Sequence, residues 1–376
     1  MLIKPGTLSK DPTMYGLPKD TRITDALGSR IQIDYRAKWL TDWPSGLGTN
    51  LFGYKRFSSG RQYSPSLVTS QEYNAANALS MFVCRLLRWD DAGVVFCKTG
   101  SEATDIAVRV ARAVTGRDRV MTFMDAYHGW HDWTIQRTEP ARGVIKDHAF
   151  TQALWGDEIQ GMTGQAATIF EHPPSKPKKS WVEYVNNLDG LLIADEVVTG
   201  LRYQPGLISA RYGYKPDIIC LGKGIGNGAS IAAVVGRLDI MKDAFDTDHP
   251  VFCSSTTWGE VSALDLVTQV MTEYPKLSPD YINHIGEKAR YALGLSGFKT
   301  WGDNERFLVD YGTDEERGAI IRGFVAEGHL VNRPYFATYA HTLEDATDLG
   351  RAGFEVINNI SKYKNGPTPK VLFRSR

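Results

Sequence analysis

The stretch PDIICLGKGIGNG sets Lys223 directly after an apolar run, Ile218 to Leu221, and at the head of a loop punctuated by Gly222, Gly224, Gly226 and Gly228. The run reads as a short buried strand, because apolar residues of that length bounded by Pro216 and glycines suit a strand better than a helix. Burying an unpartnered ammonium is costly, so a lysine in this place is ion-paired, reaches solvent, or is neutral because it is covalently engaged. Four other stretches carry residues able to do chemistry. KTGSEA (98–103) places Gly100 and Ser101 at a strand-to-helix junction, where backbone N–H groups and a hydroxyl can hold a phosphate. The same residues also read as an ordinary helix cap. DAYHGWHDW (125–133) offers Tyr127 as a face for a planar ring, or is an aromatic loop packed on the core. Its HGWH could ligate a metal, but no nearby Cys or His completes a set, and no metal is expected. IADEVVTG (193–200) puts Asp195 at the end of an apolar strand, where open α/β sheets place their ligands. There a carboxylate can hold a proton on a ring nitrogen, or it can cap a helix. SSTTWGE (254–260) adds hydroxyls, Thr257 among them, ahead of a helix expected to begin near Val261. Phosphate donors, a stacking aromatic, a carboxylate for a ring nitrogen and an amine are together the parts that hold pyridoxal phosphate (PLP), and Lys223 is then explained as its Schiff-base partner.

These residues need a scaffold, and from about residue 90 the sequence supplies one. Short apolar runs alternate with amphipathic stretches, the pattern of βα units and a mostly parallel sheet. Strands are expected at 94–96, 120–123, 168–170, 191–194, 218–220 and 232–235. After Ser101, the residues Ala103, Ile106, Ala107, Val110, Ala111 and Val114 recur at helical spacing, and Gly116 ends the helix. Residues 1–60 show little sustained period and read as an N-terminal arm or small-domain segment. Residues 61–272 are expected to form the large cofactor-binding domain, and 273–376 a smaller C-terminal domain with a final helix over LEDATDLGRAGFEVINNISKY.

Composition narrows the function classes. Lys+Arg and Asp+Glu are both 43, a net charge of zero, so nothing global recommends nucleic acid or an acidic membrane as partner. The four cysteines are widely spaced without a C-x-x-C, no apolar run approaches a membrane span of roughly 20 residues, and MLIKPGTLSKDPTMYG lacks a signal-peptide core. A cytoplasmic protein is expected.

From about Gly93 to Val270, with weaker echoes at 25–35 and 339–345, the sequence resembles the class III aminotransferases of fold type I, and within them the branch of glutamate-1-semialdehyde aminomutase. DEVVTGLR is similar to the family's DEV-x-x-G-F-R, KTGSEA to S-G-[ST]-E-A, and Tyr127-His128-Gly129 to Y-H-G. The resemblance implies an α/β fold, a mostly parallel sheet with flanking helices plus a smaller α+β C-terminal domain. It implies that Asp195 meets the pyridine nitrogen, Val197 packs on the ring, Gly100 and Ser101 bind phosphate, and the aromatic of the Y-H-G motif, in which His128 stands, stacks on the cofactor. Lys223 takes the place of the Schiff-base lysine. Thr257 corresponds to a threonine that reaches the neighbouring subunit's phosphate, which implies a homodimer with shared active sites. The sequence departs from the family at Glu171-His172-Pro173-Pro174, where E-P-V is common and the following segment is short, and at NRPYFATYAHT, where the acidic residue of aminomutases has no clear match. Glu171 and Arg333, or Tyr335, are therefore expected on the substrate side. The reading is amino-group transfer to or from a small-molecule or carrier-linked amine or carbonyl, with a bulky substrate suggested by the shortened covering segments. Decarboxylation or another α-carbon reaction is the alternative on the same fold, and a binding protein built on a retired enzyme is the third.

Overall fold

The structure, a computed structural model, describes residues 11–33, 38–123, 126–134, 162–173, 176–331 and 334–366, and the backbone of 151–154. The chain divides into two compact units, one formed by 57–173 with 177–277 and the other by the segments up to Arg56 and from Ser278 onward.

In the second of these, β1 (Ile23–Leu27), β2 (Arg30–Ile33) and β3 (Lys38–Asp42) form an antiparallel meander. The structure shows why this segment carries little sequence period. β1 buries almost nothing, and Ile23 and Leu27 lie exposed, so no apolar alternation marks it. Only the inward residues of β2 and β3, Ile31, Ile33 and Leu40, reach a core, which they share with Met14, Tyr15 and Leu330. After β3 the chain runs through four consecutive left-handed residues, Ser45 to Gly48. Asp42 anchors this turn by accepting from the Ser45 amide at 3.1 Å and from the Tyr54 hydroxyl, while burial pushes its carboxyl up to about 6.

The other unit positions the chemistry. α1 (Ser70–Leu87) leads into β4 (Ala92–Cys97), α2 (Gly100–Thr115), β5 (Val120–Phe123), β6 (Thr151–Leu154), β7 (Ala167–Glu171), α3 (Lys179–Asn186), β8 (Leu191–Asp195), α4 (Ile208–Tyr212), β9 (Ile218–Leu221), β10 (Ala232–Arg237), α5 (Leu238–Phe245) and α6 (Val261–Glu273). The strands form one seven-stranded sheet in the order β4-β10-β9-β8-β7-β5-β6. Pairing is parallel from β6 through β9, and β10 runs antiparallel to both β9 and β4. All six strands expected from sequence are present. β6, outside the sequence reading, adds an edge strand.

α2 forms where its periodicity predicts. Thr99 and Glu102 make a reciprocal capping box at its start, and Gly116 ends it at φ 64°, a left-handed conformation that a residue with a Cβ resists. Its small residues Ala103, Ala107 and Ala111 let the helix lie close on Ile169, Ile193, Ile218 and Val234 of the sheet. The sheet is thereby sealed on that face, and its carboxyl edge is left for ligands.

The chain then returns to the second unit with α7 (Tyr281–Leu295), β11 (Thr300–Gly302), β12 (Arg306–Val309), α8 (Asp314–Ala326), β13 (His329–Leu330), β14 (Tyr335–Phe336) and α9 (Leu343–Asn358). β13 pairs parallel with β3, and β11, β12 and β14 make a small sheet. Trp43, Phe307, Phe324, Tyr335 and Leu349 fill the core between them. Tyr335, an alternative substrate contact in the sequence reading, is fully buried and shares a hydrogen bond of 2.7 Å with Tyr311. It is a core residue of this unit. Among the described residues no helix is long and apolar enough to cross a membrane.

Candidate active site

Because β4, β5, β7, β8 and β9 run in the same direction, the residues that follow them emerge along one edge of the sheet. Lys98-Thr99-Gly100 follows β4, Tyr127 and His128 follow β5, Glu171 ends β7, Asp195 ends β8 and Lys223 follows β9. Register makes some of these immediate neighbours. Glu171 is paired with Asp195, Asp195 with Cys220, and the Glu196 amide donates to the Cys220 carbonyl at 2.9 Å.

Lys223 is half-buried and has φ 43°. A lysine in the left-handed region is strained, and its carbonyl accepts from the amides of both Gly226 and Asn227 at 3.1 Å, which holds the turn in place. The apolar strand before it and the glycine-rich loop after it thus fix one polar side chain at the sheet edge.

Asp195 is 6% exposed. Its Oδ1 accepts from the Val197 amide at 3.2 Å, and its Oδ2 lies 2.9 Å from His128 Nδ1. The Tyr127 amide donates to Glu171 Oε2 at 3.2 Å, which turns the loop after β5 toward the same two carboxylates. The Tyr127 phenol is pushed up by burial and then by the charges of Asp195 and Glu171. It remains a neutral aromatic face, 38% exposed.

At the start of α2 the capping box occupies part of the donor set. Glu102 Oε2 accepts from the amides of Lys98 and Thr99, each at 2.8 Å, and Thr99 Oγ1 accepts from the Glu102 amide at 3.1 Å. The first-turn amides of Gly100 and Ser101 are outside this box and have no partner within the helix. Two further glycines explain how close the loops come. A Cβ on Gly129, itself at φ 109°, would stand 2.5 Å from Ser101 Oγ, and one on Gly100 would stand 2.8 Å from Val197 Cγ1. The loop after β5, the start of α2 and the turn after β8 therefore close on one another as a shallow cradle with Val197 at its floor.

Thr257 is exposed, its hydroxyl lies 3.5 Å from Ser255 Oγ, and it lines a cleft of about 630 Å³ with Lys98, Asn227, Ser230 and Glu260. Lys98 and Glu260 pair across that cleft at 3.6 Å. Arg333 lies outside the described residues.

Sequence reasoning missed Glu196, whose side chain is fully buried beside Asp195 and accepts from the amides of Ile208 at 2.7 Å and Ser209 at 2.9 Å. Burial raises its carboxyl from the usual 4.5 to about 7. The sign follows from linkage: the folded state binds this proton more tightly than the unfolded chain, so its stabilising contribution is greatest below pH 4.5 and is lost as pH rises toward about 7, by up to ~3 kcal/mol. Glu196→Gln is expected to flatten the melting temperature against pH across that interval. It should also lower stability at acid pH, because its amide N–H faces a backbone donor. Melting curves of both proteins from pH 4 to pH 8 check this, and parallel curves would refute it.

The comparisons with known proteins now bear on this edge. The model of the family described as Aminotransferase class-III matches residues 172–278. A glutamate-1-semialdehyde 2,1-aminomutase of Methanobrevibacter smithii is 32% identical over an alignment of 421 residues that covers 96% of this chain and 97% of that protein. The chain belongs to the class-III aminotransferase family. A 3-aminobutyryl-CoA aminotransferase of Cloacimonas acidaminovorans is 34% identical over 180 residues, covering 42% of this aminotransferase and 41% of that protein. The match to the aminomutase of Methanothermobacter thermautotrophicus spans 42% of that enzyme's length, at 31% identity. Among solved structures, the PLP internal aldimine form of the FumI protein of Sphingopyxis sp. MTA144 superposes with a TM-score of 0.80 over 97% of this chain and 96% of that one, at 21% identity. This aminotransferase is thus a fold type I enzyme of amino-group transfer, and its cofactor is pyridoxal phosphate. The sheet edge fits that group: two helix-start amides stand outside the capping box, a buried carboxylate ends β8, and an exposed aromatic face and a half-buried lysine adjoin them.

Proposed function

We propose that this sheet edge is the catalytic site and that its residues divide the work as follows. The amides of Gly100 and Ser101 bind the cofactor's phosphate, Tyr127 and Val197 face the two sides of its ring, and Asp195 keeps its ring nitrogen protonated. Lys223 holds the cofactor covalently in the resting enzyme, then serves as the base whose Nζ takes the proton from the substrate carbon and returns it during transfer. The chemistry that the cofactor supplies is an electron sink for the negative charge left at that carbon. Glu171, next to Asp195 in the sheet, faces the substrate side, and Arg333 is the other residue assigned to substrate recognition. The observation that carries this reading is the convergence of Lys223, Asp195 and the α2 start on one carboxyl edge.

Thr257 serves a second copy of the chain, which makes the enzyme a homodimer with shared sites. Its exposure supports that assignment. The enzyme acts in the cytoplasm, consistent with four free cysteines. Its substrate amine or carbonyl is borne on a bulky carrier. The likeness to a 3-aminobutyryl-CoA aminotransferase supports a thioester-linked amine, as do the short segments that follow Glu171.

The test is a panel of amino donors, free amino acids beside amines linked to coenzyme A or a carrier protein, each assayed on the PLP-loaded enzyme with and without a keto acceptor. Acceptor-dependent transfer favouring the conjugates is expected. Efficient turnover of free amino acids with the conjugates ignored would remove the carrier reading, and carbon dioxide release without acceptor would remove amino-group transfer itself.

A further inference from the structure

Lys98 follows β4 and opens the turn into α2, and three segments of the sheet edge meet on it. Its amide donates to Glu102 Oε2 at 2.8 Å, inside the cap of α2. Its carbonyl accepts from Ser230 Oγ at 3.1 Å, in the loop that begins at Lys223. Its ammonium lies 3.6 Å from Glu260 Oε2, at the start of α6.

Each of these partners is tied in turn to a residue assigned to the cofactor. Glu102 stands in the first turn of α2, beside Gly100 and Ser101. Backbone bonds carry the loop from Lys223 toward Ser230: the amides of Gly226 and Asn227 donate to the Lys223 carbonyl, and the Ala229 amide to the Gly226 carbonyl at 3.0 Å. Glu260 donates its own amide to the Thr257 carbonyl at 3.1 Å. Its carboxylate caps α6, Oε1 accepting from the Ser262 amide at 2.9 Å and Oε2 from the Ala263 amide at 3.2 Å. Burial works against the charge of this carboxyl, but the Ser262 hydroxyl, the two amides and the Lys98 charge outweigh it and hold it below the usual carboxylate range. The side chains of the pair are only 14% and 21% exposed, so water and salt screen it less than a surface pair. Two of the three contacts of Lys98 are made by its backbone, and the bond to Glu260 is the one that its side chain supplies.

We propose that Lys98 is a positioning residue for the cofactor: its ammonium, acting through Glu260, braces the Thr257 segment against the start of α2 and the Lys223 loop, so that cofactor retention depends on an ion pair outside the reacting groups. The proposal rests on the catalytic reading above and adds to it a residue with no part in the chemistry. On that reading the α2 start and the Lys223 loop hold this copy's cofactor and Thr257 the neighbouring copy's, so the brace serves both sites of the dimer. It also accounts for a lysine that stands two residues before the phosphate-binding amides with its ammonium held at a carboxylate instead. Supports one step removed from a bound group are worth about 10- to 100-fold, and the partial exposure of this pair sets it at the lower end.

The test is a double-substitution cycle on the holoenzyme: Lys98→Met, Glu260→Gln and the two together, with Lys98→Arg as the conservative variant. Two quantities are read, the equilibrium dissociation constant of pyridoxal phosphate on dilution of the holoenzyme, and kcat at saturating cofactor. The expected result is that each single variant holds the cofactor about 10-fold more weakly and the double variant no more weakly than either, because all three lack the same pair. Lys98→Arg, which keeps the charge, should follow the parent, and kcat at saturating cofactor should stay within about twofold of it throughout. Unchanged retention in Lys98→Met would overturn the proposal. So would losses that multiply in the double variant, which would mark two independent effects, or a loss in Lys98→Arg as large as in Lys98→Met, which would mark a packing role. A fall in kcat at saturating cofactor as large as the loss of retention would also overturn it, since Lys98 would then act in the chemistry. Should Lys98→Met not fold, Glu260→Gln and Lys98→Arg decide: parent-like retention in the first, or its loss in the second, refutes the brace. Failure of the catalytic reading looks different: the parent itself would take up no pyridoxal phosphate, or borohydride would fix the cofactor at a lysine other than Lys223.

Discussion

Lys223→Ala abolishes turnover, by about 10⁴-fold or more, while the protein still folds and still takes up pyridoxal phosphate. The size of the loss follows from the number of tasks placed on one Nζ. In the proposed division of work it is both the covalent anchor of the cofactor and the base at the substrate carbon, and Lys98, a second lysine at this edge, is drawn aside to Glu260. Retained uptake follows from the proposed contacts that the variant leaves in place, namely the amides of Gly100 and Ser101, the Asp195 carboxylate and the Tyr127 face. Folding should be little affected. The turn at Lys223 is held by backbone hydrogen bonds to its carbonyl, and replacing a residue at φ 43° by alanine leaves that conformation no more strained than before. Single-turnover assays on the purified variant, with cofactor content measured by mass spectrometry of the native protein, read both halves of the expectation. Undiminished transfer would sink the assignment of Lys223.

Much of this could be read from the chain alone because the site is assembled by strand ends. A buried parallel strand announces itself as an apolar run, and the next polar residue is then at the sheet edge, which is how Lys223 and Asp195 stood out. α2 was equally legible, since its apolar face lies on a sheet along its whole length. The meander at 23–42 was not, because a strand such as β1 with nearly every residue exposed carries no burial pattern to read. Nor could the sequence indicate which way His128 turns. Its partner lies 67 residues away, and only the closed loop after β5 brings the two together. Glu196 was hidden by adjacency. Two consecutive acidic residues at a strand end look alike in sequence, but strand alternation sends Asp195 to the edge and Glu196 into the protein, onto the amides that open α4. The left-handed φ of Lys223 had no signal at all, for a lysine is not a residue that such a turn selects.

Asp195→Asn should cost about 10²- to 10³-fold in kcat, the range found when one preorganised electrostatic group is removed from a site, and leave KM for the amino donor nearly unchanged. The substitution keeps the shape of the side chain and removes its charge. An asparagine can still accept from His128 through Oδ1, but its amide nitrogen then faces the Val197 amide, a donor set against a donor at a separation of 3.2 Å in the parent. Rotating the amide relieves that clash and sets its N–H against His128 instead. In either orientation no charge remains to hold a proton on the cofactor's ring nitrogen, and the sink loses much of its capacity. The loss should therefore appear in the proton-transfer step. A deuterium isotope effect at the substrate carbon should grow in the variant as that step becomes rate-limiting, and a cofactor analogue whose ring nitrogen is permanently alkylated, and so positive without a carboxylate, should recover part of the rate. An unchanged kcat, or a loss that the alkylated analogue does not reduce at all, would mean that Asp195 contributes architecture rather than charge.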